Sequence, residues 1–210
     1  MPTGIESAFI LIAVLIFSVI VHEVMHGVAA ERLGDPTARL QGRITLNPIP
    51  HLDPIGSVLL PLILVLTGSS ILFGWAKPVP YNPYNFQRGG RWGEAIVAGA
   101  GPASNLIIAV IGGLLLRMNI LPAMNEILYL FVFINVILFL FNLIPIPPLD
   151  GSKILSAILP RGLAASYGRL RMQLEWNPLL GFGLVILFVI LFGGVFFSFI
   201  NTIAHAIAGI

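Results

Sequence analysis

Two histidines and a glutamate stand close together near the start of the chain, in the sequence His22-Glu23-Val24-Met25-His26. On a helix, positions i and i+4 lie on one face a single turn apart, so both histidines would point the same way. Two imidazoles at that spacing can bind one zinc ion, and the adjacent glutamate can take a proton from a water activated by the metal. The motif therefore predicts a hydrolytic metal site.

The surroundings of this motif are apolar. An apolar run over 8–21 precedes it, and helical composition continues to Leu33, where a Gly-Asp-Pro sequence at 34–36 predicts the end of the helix. A charged residue at the centre of a membrane-inserted helix costs about 2.5–3.5 kcal/mol, so such residues usually face a cavity. Three ionisable residues within five positions need a shared partner, which a divalent cation supplies. The alternative is a polar helix end whose histidines meet lipid headgroups.

A catalytic zinc ion takes three protein ligands, so one more ligand must lie elsewhere in the chain. The absence of cysteine excludes thiolate ligands and disulfides. The candidates are His51, Asp53, Asp150 and His205. Asp150 follows a proline-rich stretch over 142–149 that is expected to run extended, which suits a ligand held at the membrane boundary. Asp150 could equally cap a helix beginning at Ser152, and the residues alone leave both roles open.

The composition places these residues in a membrane protein. Of the 210 residues, 57% are hydrophobic and only 10% are charged, whereas a soluble domain is about 25% charged. With the first helix, apolar segments at 55–76, 95–116, 127–149 and within 178–210 predict an all-α polytopic membrane protein with about five transmembrane helices. The simplest organisation is one domain over 1–210. A net charge of +2 without a basic run argues against a nucleic-acid partner.

Two connectors between these spans differ from the helical pattern. The segment 37–47 alternates loosely between polar and apolar residues, which predicts a short strand or β-hairpin after the first span. The segment 74–91 is rich in Pro, Asn and aromatic residues and is typical of an irregular or re-entrant loop, which is tolerated at membrane depth only inside protein or beside water. Arg32, Arg39 and Arg43 follow the first span, which favours a cytoplasmic position for its C-terminal end. Lys77, Arg88 and Arg91 after the second span compete with a simple alternation of sides, a conflict that a re-entrant segment near Pro61 or over 74–83 would relieve.

Several stretches of the chain, taken together and in order, match one family. HEVMHG lies in the first apolar span and NLIPIPPLDG (142–151) follows a later one, with LNPIPHLDPIGS (46–57), FGWAKPVPYNP (73–83) and AGAGPASN (98–105) between them. From about residue 10 to 155 the chain resembles the site-2 protease family of intramembrane zinc metalloproteases. The resemblance implies an endopeptidase that hydrolyses peptide bonds within or near transmembrane segments, with one Zn²⁺ per chain.

The resemblance also implies roles for the metal site. His22 and His26 match the two histidine ligands, and Asp150 matches the aspartate ligand, which favours the ligand role of Asp150 over the capping role. Glu23 matches the catalytic glutamate. His51 lies in a stretch that matches the family, but the match gives it no ligand role.

Three further residues are implied to lie at or near the substrate. Asn142 and Pro148 match a segment that contacts an extended substrate strand, and Asn105 matches an asparagine near the active site. From the residues alone, Asn105 could equally form a buried hydrogen bond between helices. Asp53 is interpreted as the cap of the next helix, with Pro54 in the first helical position.

The implied partners are a transmembrane protein substrate and the lipid bilayer, with the active site toward the cytoplasmic side of a prokaryotic cell membrane. Many relatives carry a PDZ or CBS domain, and this chain has no soluble stretch long enough for either. We therefore expect substrate choice to rest on the membrane core or on homo-oligomerisation. Two other functions stay open at this level: a membrane metal transporter that uses the same histidines, and a catalytically silent membrane scaffold. The transporter does not require Glu23 between its ligands.

Overall fold

The computed structural model describes residues 5–59, 63, 66 and 75–210. Its first helix, α1 (Ile5–Leu33), carries the His-Glu-x-x-His motif, and its part Phe9–Leu33 is long and apolar enough to cross a membrane. The helix ends at the predicted Gly-Asp-Pro sequence. Gly34 there has a φ of +112°, a left-handed backbone that residues with a side chain rarely adopt.

Four helices within the described residues are long and apolar enough to span a membrane. Besides α1 they are α3 (Gly93–Arg117), α4 (Asn125–Asn142) and α7 (Pro178–Ala208). The predicted spans at 95–116, 127–149 and within 178–210 coincide with these three helices, although α4 stops earlier because prolines follow it. The predicted span over 55–76 falls largely outside the described residues, so a fifth span stays a prediction.

The remaining helices are short or polar. They are α2 (Thr37–Leu40), α5 (Asp150–Ile158) and α6 (Arg161–Trp176). A π-helical turn covers Pro54–Leu59, and the described residues from 75 to 82 form an irregular segment. That segment agrees with the irregular loop predicted over 74–91, which then continues through two short 3₁₀ turns.

The strand or β-hairpin predicted over 37–47 is wrong, and the described residues contain no strand. Thr37–Leu40 forms one helical turn, and turns and bends follow it. The backbone N–H groups of Leu40, Gln41 and Arg43 donate to carbonyls four or five positions earlier in the chain. These donors are satisfied locally and are therefore not available for pairing with another strand.

The helix α3 is the centre of the bundle, because it packs against α1, α4, α5 and α7. Glycine lets it approach α7 closely, since a Cβ on Gly113 would lie 2.5 Å from Ile207. The apolar core between α3, α4 and α7 consists of fully or almost fully buried small and branched side chains: Ala109, Val132, Val136, Ile200 and Ala204. This packing fixes the depth and rotation of α3, which also faces the histidines of α1.

The carboxylate of Asp35 ties the end of α1 to the irregular segment. It is completely buried and accepts hydrogen bonds from the backbone N of Thr37 at 3.2 Å, the backbone N of Asn82 at 2.6 Å and Asn85 Nδ2 at 2.7 Å. Burial opposes ionisation, but the hydrogen bonds from Thr37, Asn85 and Asn82 outweigh it and lower the pKa of Asp35 below its ordinary value.

This lowered pKa predicts an acid-sensitive step in stability. A carboxyl group with a lowered pKa stabilises the folded state above its unfolded pKa of about 3.9, and the contribution is lost as the pH falls through the folded value. Asp35→Asn should cost about 1–3 kcal/mol at pH 7, because an amide NH₂ would replace an acceptor facing N–H donors. Thermal unfolding in detergent between pH 7 and pH 3 should show a smaller acid-induced loss of stability in the variant than in the wild type. Equal acid sensitivity of the two proteins would contradict the assignment.

Candidate metal centre

The side chains of His22, His26 and Asp150 meet at one point of the bundle. Nε2 of His22 lies 3.0 Å from Nε2 of His26, and Asp150 Oδ2 lies 3.2 Å from each of these nitrogens. All three side chains are buried. Ligand atoms at about 2.0–2.1 Å from a tetrahedral zinc ion lie about 3.3 Å from one another. The edges of this triangle therefore have the size that a zinc site requires.

The second nitrogen of each histidine has its own hydrogen-bond partner. Nδ1 of His22 lies 2.6 Å from Asn105 Oδ1, and Nδ1 of His26 lies 2.7 Å from the backbone oxygen of Val97. Both partners are acceptors, so we infer that each histidine carries its proton on Nδ1 and presents an unprotonated Nε2. Two nitrogen lone pairs and a carboxylate oxygen then face one another in a buried place, which is unfavourable without a cation between them. This set of N and O donors fits zinc.

Asp150 reaches the histidines from the first turn of α5. Leu149 occupies the cap position of this helix, and Asp150 is its first helical residue. Asp150 Oδ2 faces the histidines, while Oδ1 lies 3.9 Å from Lys153 Nζ. Asp150 is thus not the cap residue of α5, and its carboxylate lies beside both histidines.

The proline-rich stretch before Asp150 is not extended, and this expectation is wrong. Its residues form tight turns, in which Ile146 N donates to Ile144 O and Leu149 N donates to Ile146 O. Gly151 then allows the start of α5 to lie against the end of α4, since a Cβ there would be 2.2 Å from the carbonyl oxygen of Leu143. A folded turn, rather than a rigid strand, therefore holds the carboxylate in place.

Glu23 borders a cavity of about 130 Å³ that the two histidines and Asp150 also line. Its Oε2 accepts a hydrogen bond of 2.8 Å from the backbone N of Val79, in the irregular segment opposite α1. One ligand atom from each of His22, Glu23 and His26 lies within 4.8 Å of the others. The carboxylate therefore lies beside the two histidines, in a place suited to a group that exchanges protons with a water near them.

The three residues implied to lie near the substrate divide into two groups. Asn142 and Pro148 line the same cavity as Glu23. Asn105 does not line the cavity but lies behind His22, where it is completely buried between helices. Its side chain contacts His22 and also forms a helix–helix hydrogen bond with Asn135, so it lies near the proposed site and between helices, as both interpretations expected.

The chain is similar to known proteins of one family. Residues 120–169 match peptidase family M50. The chain is 42% identical over 165 residues to "Putative zinc metalloprotease YwhC" of Bacillus subtilis, across 74% of this chain and 71% of that protein. The chain belongs to peptidase family M50. It is also 34% identical over 155 residues to "Putative zinc metalloprotease Rip2" of Mycolicibacterium smegmatis, of which it spans 58%. No solved structure matches the chain.

Membership of family M50, the site-2 protease family, confirms the resemblance seen in the motifs. The protein is a zinc metalloprotease, and zinc is its cofactor. Its apolar helices make it an integral membrane protein. The transporter and scaffold functions are not favoured by these findings.

Three residues near the candidate metal centre of this M50 peptidase were not predicted from the sequence: Lys153, Ser18 and Asn135. Lys153 places a positive charge beside Asp150, and its Nζ lies 5.4 Å from the ring centroid of Tyr81. Its i, i+3 spacing from Asp150 was a usable signal. Ser18 precedes His22 by one helical turn, and Asn135 is an isolated polar residue in an apolar span.

Other candidate residues have structural roles. Asp53 Oδ1 accepts hydrogen bonds from the backbone N of Ile55 at 3.0 Å and of Gly56 at 2.7 Å, which confirms its interpretation as a cap. His51 is buried, and its Nε2 lies 2.9 Å from the backbone oxygen of Thr45. His205 packs against the ring of Tyr129 on α4, at 5.9 Å between centroids.

Gly101 on α3 provides a direct test of the space that the metal centre needs. A Cβ at this position would lie 2.5 Å from His26 Nε2 and 2.7 Å from His22 Nε2. Gly101→Ala should therefore displace both ligand atoms and remove most bound zinc, even though alanine favours a helix by about 1 kcal/mol over glycine. Metal content of the purified protein measures this loss.

A neighbouring glycine supplies the control for this substitution. Gly99 lies on the same helix, and a Cβ there would meet no atom of the described residues within 4 Å outside its own stretch of helix. Gly99→Ala should retain zinc at the wild-type level. Equal zinc content of the Gly101→Ala and Gly99→Ala proteins would show that the histidines do not bind metal where the structure places them.

Proposed function

We propose that this M50 peptidase hydrolyses peptide bonds within or near transmembrane segments of membrane proteins, at a zinc ion held by His22, His26 and Asp150. The observation that carries this assignment is the buried triangle of two imidazole nitrogens and one carboxylate oxygen, with edges of 3.0–3.2 Å. Zinc bound there supplies Lewis-acid activation of water and of the scissile carbonyl.

Glu23 is the proposed general base and acid of the reaction. It takes a proton from the attacking water and delivers it to the amine of the leaving peptide, which is the exchange that a carboxylate beside the reacting atoms can perform. The hydrogen bond from Val79 N to Oε2 holds the carboxylate in one orientation. The positive charge of Lys153 lies beside Oδ1 of Asp150, and this attraction keeps Oδ2 of Asp150 directed at the histidines.

The substrate segment must lose its helical hydrogen bonds before its carbonyl can be attacked. The residues that line the cavity include Pro78 and Val79 from the irregular segment and Pro148 from the turns that follow Asn142. We propose that an unwound substrate lies between these two segments and donates its N–H groups to their backbone carbonyls, because Pro78 and Pro148 have no N–H and the N–H of Val79 is bonded to Glu23. The segment 37–47 contains no strand that could pair with the substrate.

The remaining parts of the proposal concern topology. The apolar composition of 55–76 supports a fifth span, and the chain 1–210 is proposed to form one membrane-embedded domain. Arg32, Arg39 and Arg43 after the end of α1 support an active site that opens toward the cytoplasm of a prokaryotic cell. The proposed substrate is a transmembrane protein, selected by the membrane core or by homo-oligomerisation.

Reconstituted liposomes test this function against transport. The purified protein is mixed with two transmembrane test peptides, one an uninterrupted polyleucine helix and the other carrying a central Gly-Pro pair that weakens the helix. We expect mass spectrometry to find cleavage inside the apolar segment, and faster cleavage of the Gly-Pro peptide. Uptake of zinc into the liposomes without cleavage of either peptide would contradict the proposal and support a transporter.

A further inference from the structure

A buried polar network lies behind His22, outside the cavity. It consists of Ser18 on α1, Asn105 on α3 and Asn135 on α4, and each of these side chains is 0% exposed. Asn105 Nδ2 donates to Asn135 Oδ1 at 2.8 Å, and Asn135 Nδ2 donates to Ser18 Oγ at 2.9 Å. The network reaches the metal centre through Asn105 Oδ1, which lies 2.6 Å from His22 Nδ1.

Two backbone carbonyls fix the direction of the hydrogen bonds in this polar network. Asn135 Nδ2 also lies 2.9 Å from the backbone oxygen of Phe131, and Asn105 Nδ2 lies 3.3 Å from the backbone oxygen of Ser18. A carbonyl oxygen can only accept, so the NH₂ group of each asparagine must point toward it. Asn105 therefore presents its oxygen to His22, and His22 must carry its proton on Nδ1.

The Nδ1 atoms of the two histidines face different kinds of hydrogen-bonding group. His26 Nδ1 faces a backbone carbonyl of Val97, which cannot reverse donor and acceptor. His22 Nδ1 faces a side-chain amide, whose oxygen and NH₂ group have nearly the same shape, so packing alone cannot select between them. If the Asn105 amide turned over, its NH₂ would face Nδ1. The proton of His22 would then move to Nε2, the atom directed at the metal position.

We propose that Asn135 is a positioning residue that acts through Asn105 to keep Nε2 of His22 free for zinc. This inference rests on the proposed function, because it takes His22 as a ligand. Asn135 accepts the shorter of the two hydrogen bonds that hold the Asn105 NH₂ group away from His22, at 2.8 Å against 3.3 Å for the backbone oxygen of Ser18. Outer partners of this kind commonly change metal affinity by about 10–100-fold when they are lost.

Three substitutions on α4 separate this role from simple helix packing. Asn135→Leu removes the acceptor with little change in size, whereas Asn135→Asp keeps an oxygen for Asn105 Nδ2 whether or not the new carboxyl group is protonated. Val132→Ala is the packing control, since Val132 is also 0% exposed and lies one turn away in the apolar core. All three variants are expected to lose some thermal stability.

Zinc affinity and the histidine tautomer are then measured on the full-length protein. In buffered zinc titrations we expect Asn135→Leu to bind about 10–100-fold more weakly than the wild type, with Asn135→Asp and Val132→Ala close to the wild type. In metal-free protein labelled with ¹⁵N-histidine at about pH 9, where histidine is neutral, His22 should hold its proton on Nδ1. In Asn135→Leu a population protonated on Nε2 should appear.

The outcomes distinguish a failure of this inference from a failure of the proposed site. Asn135→Leu with the zinc affinity of Val132→Ala and a His22 that stays protonated on Nδ1 would overturn the inference alone. A His22→Ala variant with wild-type zinc affinity would overturn the ligand assignment and, with it, the inference. If Asn135→Leu does not fold, Asn135→Asp is compared with Asn105→Ala, which removes the acceptor of His22 Nδ1 and is expected to weaken zinc binding. Zinc affinity of Asn135→Asp as weak as that of Asn105→Ala would contradict the proposal.

Discussion

Glu23→Gln is expected to abolish peptide hydrolysis and to leave zinc bound. Glutamine has nearly the size of glutamate and keeps an oxygen that can accept the hydrogen bond from Val79 N, but it cannot take up a proton from water at neutral pH. General acid–base catalysis contributes about 10²–10⁴-fold to rate, so kcat with a transmembrane test peptide should fall by at least the lower figure. The zinc content of the same preparation should equal that of the wild type.

Glu31→Gln is the matched control for this experiment, since Glu31 lies on the same helix and pairs with Arg39 instead of lining the cavity. It should cleave the peptide at close to the wild-type rate. Undiminished cleavage by Glu23→Gln would refute the proposed general base. Loss of zinc together with activity would show that Glu23 is a ligand. The experiment must distinguish this outcome because a carboxylate oxygen of Glu23 lies within 4.8 Å of the histidine ligand atoms.

Asp150→Ala is expected to reduce zinc affinity more strongly than any substitution in the buried polar network. It removes one of three converging donor atoms, and a catalytic zinc ion needs three protein ligands. The loss should exceed the approximately 100-fold upper range for outer partners. Equilibrium competition with a chelator of known affinity measures it, and cleavage should disappear at zinc concentrations that saturate the wild type.

A second carboxylate on a connector controls for the loss of charge in this variant. Asp53→Ala removes a capping residue outside the metal centre and should leave zinc affinity unchanged while lowering thermal stability by about 0.5–2 kcal/mol. If Asp150→Ala bound zinc with wild-type affinity, Asp150 would have only a local structural role and another residue would be the third ligand.

The two histidine positions illustrate what a sequence can predict by itself. His22 and His26 share a helix face because of local geometry, so their spacing alone predicted that they would meet at one point. Asp150 is 128 positions from His22 along the chain. Helix spacing cannot predict a contact between residues so far apart in the chain. The residues alone therefore left the ligand role and the capping role of Asp150 equally open. Only the family resemblance favoured the ligand.

The features that sequence reasoning missed or mispredicted depend on contacts between segments. The partnership of Asn135 with Asn105 depends on the relative rotation and depth of α3 and α4, which the packing around residues such as Gly113 and Val132 determines. The segment 37–47 has the alternation of a strand, yet its backbone donors are satisfied in a helical turn next to the buried Asp35. The hydropathy of a span, by contrast, depends only on the residues of that span. It therefore predicted the membrane-spanning helices α3, α4 and α7 correctly.

X-ray absorption at the zinc edge of the purified wild-type protein tests the central claim most directly. Two histidines, one aspartate and a solvent oxygen predict a first shell of four nitrogen and oxygen atoms at about 2.0–2.1 Å. The spectrum should also contain the outer-shell scattering of two imidazole rings, with one zinc ion per chain. A spectrum with one imidazole or none, or a protein that cleaves its substrate without bound zinc, would contradict the assignment of His22, His26 and Asp150 as the metal centre.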